Sequence, residues 1–228
     1  MKNTAKLMLL LVFMLIGTIQ AQTQKDSRDL RDFNAVKVSN SIKAELVKGD
    51  QNIVEITVSG IDVGKVETTV VGETLEIRLA RGNFRNHAVS VVVTYVELLG
   101  IEANTSASVV SKDPIVAQEA YLFATTNAYL EAEVEADVLS VDAATNARIF
   151  VRGEVDELNV KAFTNAEIDG KNLTGKQIEL QANTAATIHF NAISTIEGSV
   201  ATAAKVYYGG NPKDVDVKTS TGGSIQKR

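Results

Sequence analysis

Apolar and polar residues alternate along most of the chain. From Phe33 to about Gly100 the runs Val36/Val38, Val54/Ile56/Val58, Leu75/Ile77/Leu79 and Val89/Val91/Val93/Tyr95 keep every second position apolar. Period 2 with β-branched residues predicts strands with one buried face. Gly49-Asp50, Gly72-Glu73 and Gly82-Asn83 punctuate the runs. Gly72-Glu73, set between Val70-Val71 and Leu75/Ile77, predicts a hairpin, because glycine accepts the positive φ of a tight primed turn. No long stretch shows a 3.6-residue period with caps. Residues 115–124, IVAQEAYLFA, come nearest to a helix.

The second half is a repeat. Threonine, a small or polar residue, Ala or Gly, any residue and an aliphatic recur, beginning at Thr105, Thr126, Thr145, Thr164, Thr184, Thr202 and Thr221. Successive threonines are 21, 19, 19, 20, 18 and 19 residues apart, a period near 19. Four positions before each from Thr126 on stand Leu122, Val141, Val160, Leu180, Gly198 and Val217, and two before stand Ala124, Ala143, Ala162, Ala182, Val200 and Thr219. Even offsets therefore face one core. Each unit reads as a strand, a bend at Thr-x-Ala/Gly, a second strand and a polar turn.

A unit this small cannot bury its own apolar face, so units must stack. Stacking like on like gives parallel in-register ladders about 4.8 Å apart, and seven units make a rod about 30 Å long. The predicted fold is all-β: a parallel β-helix or β-solenoid of 19-residue coils, capped or extended by a less regular N-terminal β region. The Thr and Ala columns are expected to point inward where the cross-section narrows. The middle of the bend holds Asn127, Asn146, Asn165 and Gly222. These residue types share tolerance of the left-handed region, which predicts a left-handed structural corner. Side-chain hydrogen bonds along the asparagine column are expected to tie the coils together.

These bends resemble the Ser-Gly-Gly-Ser bends of the auto-transporter adhesin head GIN domain family, secreted or envelope proteins of Bacteroidetes-type bacteria. Asp32-Phe33-Asn34-Ala35-Val36-Lys37-Val38, then Lys48-Gly49-Asp50, Thr74-Leu75-Glu76-Ile77-Arg78-Leu79 and Tyr207-Tyr208-Gly209-Gly210-Asn211-Pro212 resemble the family's other landmarks. Most bends carry Asn-Ala or Ala-Ala where the family has Gly-Gly, and Ser39-Asn40-Ser41-Ile42 replaces a glycine-rich step. The resemblance spans roughly 33–228 and implies a right-handed β-helix with no known catalytic residue.

The N-terminus breaks the alternation. Lys2 and Lys6 precede an apolar run from Leu7 to Ile16 and the close Gly17-Thr18-Ile19-Gln20-Ala21. That pattern predicts a secretory signal peptide over 1–21, too short for a membrane span. Residues 22–32, polar and charged, read as a linker. The N-terminal β region is then 33–100 and the repeats 101–228, one continuous domain over 33–228. Export to the periplasm, the cell surface or the medium follows. Cleavage takes the net charge from −5 to −7, because two lysines and no acid are lost. An acidic surface excludes nucleic acid as a partner and simple docking on anionic lipid.

Candidate chemistry is sparse. The chain has no cysteine, which removes disulfides, thiolate metal sites and cysteine nucleophiles. Neither His87 nor His189 accompanies a Gly-x-Ser-x-Gly elbow. Asp214 and Asp216, like Glu131, Glu133, Glu135 and Asp137, alternate as a solvated face and lack the glycine-containing loop of a calcium cage. No catalytic residue, metal or cofactor is expected. The position five past each threonine from Thr105 to Thr202 points outward and reads Val110, Glu131, Phe150, Asp169, His189, Tyr207. Phe150, Asp169, His189 and Tyr207 make the candidate ligand-binding stripe, since sugars stack on such faces. The first expectation is a secreted non-enzymatic binding module for an envelope or extracellular glycan or protein. A glycan-binding or glycan-cleaving β-helix is the alternative, and a homo-oligomer that self-associates through its ladders is a third.

Overall fold

The computed structural model describes residues 23–228, so the signal peptide expected at 1–21 lies outside the described residues. The first strands are β1 (Gln24–Asp29), β2 (Ala35–Val38), β3 (Lys43–Lys48) and β4 (Ile53–Ser59). One 3-10 turn, Val63–Lys65, leads to β5 (Val66–Val71), β6 (Thr74–Leu79) and β7 (Ala88–Tyr95). Next come β8 (Gly100–Asn104), β9 (Ser108–Ser111), β10 (Ile115–Thr125) and the long strands β11 (Tyr129–Ala144), β12 (Arg148–Phe163), β13 (Glu167–Asn183) and β14 (Thr187–Val200). β15 (Lys205–Gly210), β16 (Asp214–Thr219) and β17 (Ser224–Lys227) follow.

From β8 onward every pairing is parallel. The register stacks repeat on repeat: Leu122 lies against Val141, Val141 against Val160 and Val160 against Leu180. The fold is the expected parallel β-solenoid. These columns are buried, and the alanine after each bend (Ala128, Ala147, Ala166, Ala186, Ala204) is buried with them.

Each long strand bends without leaving the ladder. In β11 the buried residues are Leu130, Ala132 and Val134, then Leu139, Val141 and Ala143. The phase changes between Val134 and Leu139, at a second, soft corner. β10 does the same between Ile115 and Ala120. That phase change brings apolar residues to a helix-like spacing, and residues 115–124 lie in a strand.

The sharp corners are β-turns of two left-handed residues each. Asn127, Asn146 and Asn165 have φ of 59°, 59° and 58°, and Gly222 has 76°. The threonine before each middle residue is left-handed too, from 48° at Thr221 to 57° at Thr126. The threonines are exposed, which corrects their expected inward direction. The asparagine ladder is also corrected. The Asn127 N–H donates to the Thr145 carbonyl (3.0 Å), Asn146 to Thr164 (3.0 Å) and Asn165 to Thr184 (2.9 Å). These are backbone bonds. Among the described residues no hydrogen bond from those three side chains joins two coils.

The N-terminal region both extends and caps the stack. β2 and β3 pair in parallel with β8 and β9, adding a coil. β6 and β7 continue in parallel on β2 and β3. Antiparallel strands then cover both edges: β5 on β6, joined by the predicted turn with Gly72 at φ 62°, and β1 on β4, itself antiparallel to β7. Residues 22–32 are therefore not a linker, because 24–29 form β1. This segment also seals the edge of β5. The Arg28 guanidinium donates to the Val66 carbonyl (2.7 Å) and the Thr68 hydroxyl (2.9 Å), and Arg31 donates to the Val70 carbonyl. Charged side chains on an edge strand block further pairing.

Candidate functional site

The outward stripe exists as one stacked column. Val110 lies against Glu131, Glu131 against Phe150, Phe150 against Asp169, Asp169 against His189 and His189 against Tyr207. All four candidate residues are partly exposed. Phe150, paired with Tyr129, stands on one side of Asp169, and the pair His189 and Tyr207 on the other. The Phe150 ring tilts on Tyr129 with centroids 5.4 Å apart, and the His189 and Tyr207 rings are stacked at 5.0 Å and 12°. Strand pleating presents each pair on the outer face, because residues two apart share a side and neighbouring strands lie within ring contact.

Between the pairs the ladder is broken by a bulge in β13. Phe150 still faces Asp169, but Arg152 faces Asn172, one residue out of step. Toward β14 the register jumps between Asp169 and Thr174. A bulge kinks its strand and re-aims side chains. Here it turns Lys171 back onto Asp169, with a 2.6 Å bond from its ammonium group, and it opens a shallow groove of about 230 Å³. Glu131, Phe150, Arg152, Asp169, Lys171 and Asn172 line it. One carbonyl freed by the bulge keeps a partner. The Asn191 amide, one coil on, donates to the Lys171 carbonyl at 2.7 Å. Gly209 leaves room for it, since a Cβ there would stand 2.2 Å from the Asn191 side-chain oxygen.

The charges alternate along the groove. Arg152 donates to Glu133 at 3.0 Å and lies 4.0 Å from Glu131. Tyr129 donates its hydroxyl to Glu131 at 2.8 Å. Burial, then that bond and the Glu131 charge, push the Tyr129 phenol up to about 12. Burial alone would raise the Asp169 carboxyl, but the hydrogen bonds and charge of Lys171 outweigh it and hold it below its ordinary value. Burial, with the charges of Arg228 and Lys171, holds the His189 imidazole below its ordinary value. The Arg228 guanidinium meets His189 Nδ1 and lies 5.6 Å from the Tyr207 ring centre.

The face is thus a row of aromatic surfaces interleaved with fixed ions. It suits a ligand with apolar C–H faces and hydroxyl groups. Among the described residues no group of three or more His, Asp or Glu side chains is placed to hold a metal ion. Tyr129, Arg152, Lys171 and Arg228 belong to the site and were not among the candidates. One signal for the bulge stood in the threonine spacing, 20 residues from Thr164 to Thr184 and then 18 to Thr202.

The model of the family described as "Putative auto-transporter adhesin, head GIN domain" matches residues 32–212. Solved structures of like fold include a "putative adhesin" from Bacteroides fragilis, with TM-score 0.80 and 14% identity, covering 92% of this chain and 98% of that one. A "putative adhesin" from Parabacteroides merdae has TM-score 0.75 and 15% identity, with 92% and 97% covered. A "Putative lipid binding protein" from Parabacteroides distasonis has TM-score 0.68 and 17% identity, with 92% and 98% covered. At such identities the likeness is one of fold. No curated protein matches the chain.

Proposed function

The chain belongs to the auto-transporter adhesin head GIN domain family, and from that premise we propose that it is an exported, non-enzymatic binding module of the bacterial envelope. Its ligand is a glycan or a glycosylated protein surface, held on the outer stripe around the β13 bulge. The observation that carries this reading is the pair of aromatic surfaces flanking the Phe150–Asp169–Lys171 groove. Rings of this kind stack on sugar faces at little entropic cost, and the fixed carboxylates and amides around them accept and donate to hydroxyls. A shallow open site fits a binding module, whose energy comes from a repeated surface, better than an enzyme, which must exclude water. Export rests on the N-terminal pattern and on the adhesin descriptions of the family and its structures. No helix among the described residues is long and apolar enough to cross a membrane.

The test is a glycan and matrix-protein array probed with residues 22–228, beside Phe150→Ala/Tyr207→Ala. The expected result is binding that falls by ten-fold or more in the double variant while the fold is kept. Binding that survives would remove the stripe from the function, and silence across the array would remove the binding role.

A further inference from the structure

A second groove lies at the N-terminal end of the stack, away from the stripe. The loop between β6 and β7, Ala80 to His87, reads ARGNFRNH. From Ile77 to Val96 there is no acidic residue, in a chain of net charge −5. The loop forms one wall of a groove of about 630 Å³, lined among others by Asn40, Arg78, Arg81, Phe84, His87 and Thr105. Arg78 is spent on Glu67 at 2.9 Å. Arg81 and Arg85 enter no ion pair among the described residues. The Phe84 ring is folded over Gly82, where an added Cβ would stand 2.6 Å from it, and meets His87 edge-on at 6.1 Å. The ring is therefore held in place at the groove, half exposed; Arg81 lines the same groove, and Arg85, exposed, follows Phe84 in the loop.

We propose that this groove binds an acidic saccharide, a chain of sugars bearing carboxylate or sulfate. A planar guanidinium matches a carboxylate or sulfate edge with two parallel hydrogen bonds, which a lysine cannot do. Phe84 supplies the apolar surface for the sugar ring that carries the acid. Both elements are required by such a ligand, and neither a neutral glycan nor a bare phosphate backbone uses both. Two free arginines also give few phosphate contacts, far short of a nucleic-acid footprint. The site stands apart from the bulge stripe, and its ligand contacts none of Phe150, Asp169, His189 or Tyr207.

The experiment is calorimetric titration of residues 22–228 with a heparin-derived octasaccharide, a galacturonate oligomer, a neutral malto-oligosaccharide of equal length and a single-stranded DNA of equal charge. At least one acidic saccharide is expected to bind, the neutral one not to. Arg81→Gln/Arg85→Gln should weaken that binding ten-fold or more, and Arg81→Lys/Arg85→Lys should recover only part. Phe84→Ala should weaken the saccharide and leave any DNA binding unchanged, with Tm within a few degrees of the parent. Phe150→Ala/Tyr207→Ala should change nothing, so the two sites succeed or fail separately. Absence of saccharide binding, unchanged affinity in the glutamine variant, or DNA bound as tightly and just as indifferent to Phe84 as the saccharide would each overturn the proposal.

Discussion

At the scale of the residue, the sharp corner sets the strongest constraint. An L-residue in the left-handed region costs about 1 kcal/mol, and threonine, branched at Cβ, is among the least suited to it. Yet each corner from Thr105 to Thr202 holds two such residues in succession, and Thr221 is followed by Gly222. They persist because the stack over-determines them. The Ala147 N–H closes the turn on the Ala144 carbonyl at 3.2 Å, while Asn146 continues the ladder to the next coil. Glycine and asparagine carry this conformation cheaply, alanine does not. Ala185, at φ 59°, occupies the position held by asparagine in three other coils. Ala185→Asn should therefore stabilise the protein by about 0.5–1 kcal/mol, and Asn165→Ala should cost about the same. Thermal unfolding followed by circular dichroism reads both, as opposite shifts in Tm. The middle residue of the turn was legible because Asn and Gly share this tolerance. The threonine was not, because its type argues against the conformation it adopts and only the two-residue turn requires it.

At the scale of the element, the two ends of the N-terminal region show how an edge is managed. β5 is an outer strand whose carbonyls would otherwise template another chain. Arg28 and Arg31 occupy the Val66 and Val70 carbonyls instead. Arg28→Ala/Arg31→Ala should lower stability by about 2 kcal/mol, given about 1–3 kcal/mol for each buried acceptor left unpaired and the partial exposure of this edge. It should also raise light scattering on heating, and Arg28→Lys alone should show a smaller effect of both kinds. An unchanged Tm with unchanged scattering would mean that the edge is already blunt without them. β1 escaped the sequence because apolar periodicity cannot see it. QKDSRD has no apolar face, and the strand is held by its backbone register to β4, from Gln24 against Val58 to Asp29 against Ile53. The stretch 115–124 misled for the opposite reason, because its two inward phases, before and after a soft bend, mimic a helical spacing. The bulge of β13 lay half visible as one long and one short interval between threonines. Its consequence, Lys171 turned onto Asp169, needed coordinates.

At the scale of the whole molecule, the fold is close to one-dimensional. Each coil between β10 and β14 packs on the one before and the one after, and the buried columns run through all of them. Stability is then nearly a sum of coil and interface contributions. That makes a strong prediction. Duplicating residues 145–163 in tandem inserts one complete coil, from the Thr145 corner to Phe163, whose first face matches its neighbour in register throughout and whose second face keeps its present partner, bulge included. The new coil stacks on a copy of itself, so Ile149, Val151, Leu158, Val160 and Ala162 meet identical partners in the core. Its outward charges, Arg148, Arg152, Glu154, Asp156, Glu157 and Lys161, each meet a like charge, a surface cost of about 1–2 kcal/mol in all. The added burial outweighs it. Tm should stay level or rise, and the denaturant m-value should grow by about a tenth, in proportion to the surface exposed on unfolding. Inserting only residues 145–153 a second time should fail, since half a coil brings the chain back on the wrong side of the stack and turns inward residues to solvent. If the full and the half duplication destabilise equally, the coils are not independent modules. If the full one folds, the outer column gains a second Phe150, and the aromatic stripe lengthens by one step without moving Asp169, His189 or Tyr207 relative to one another.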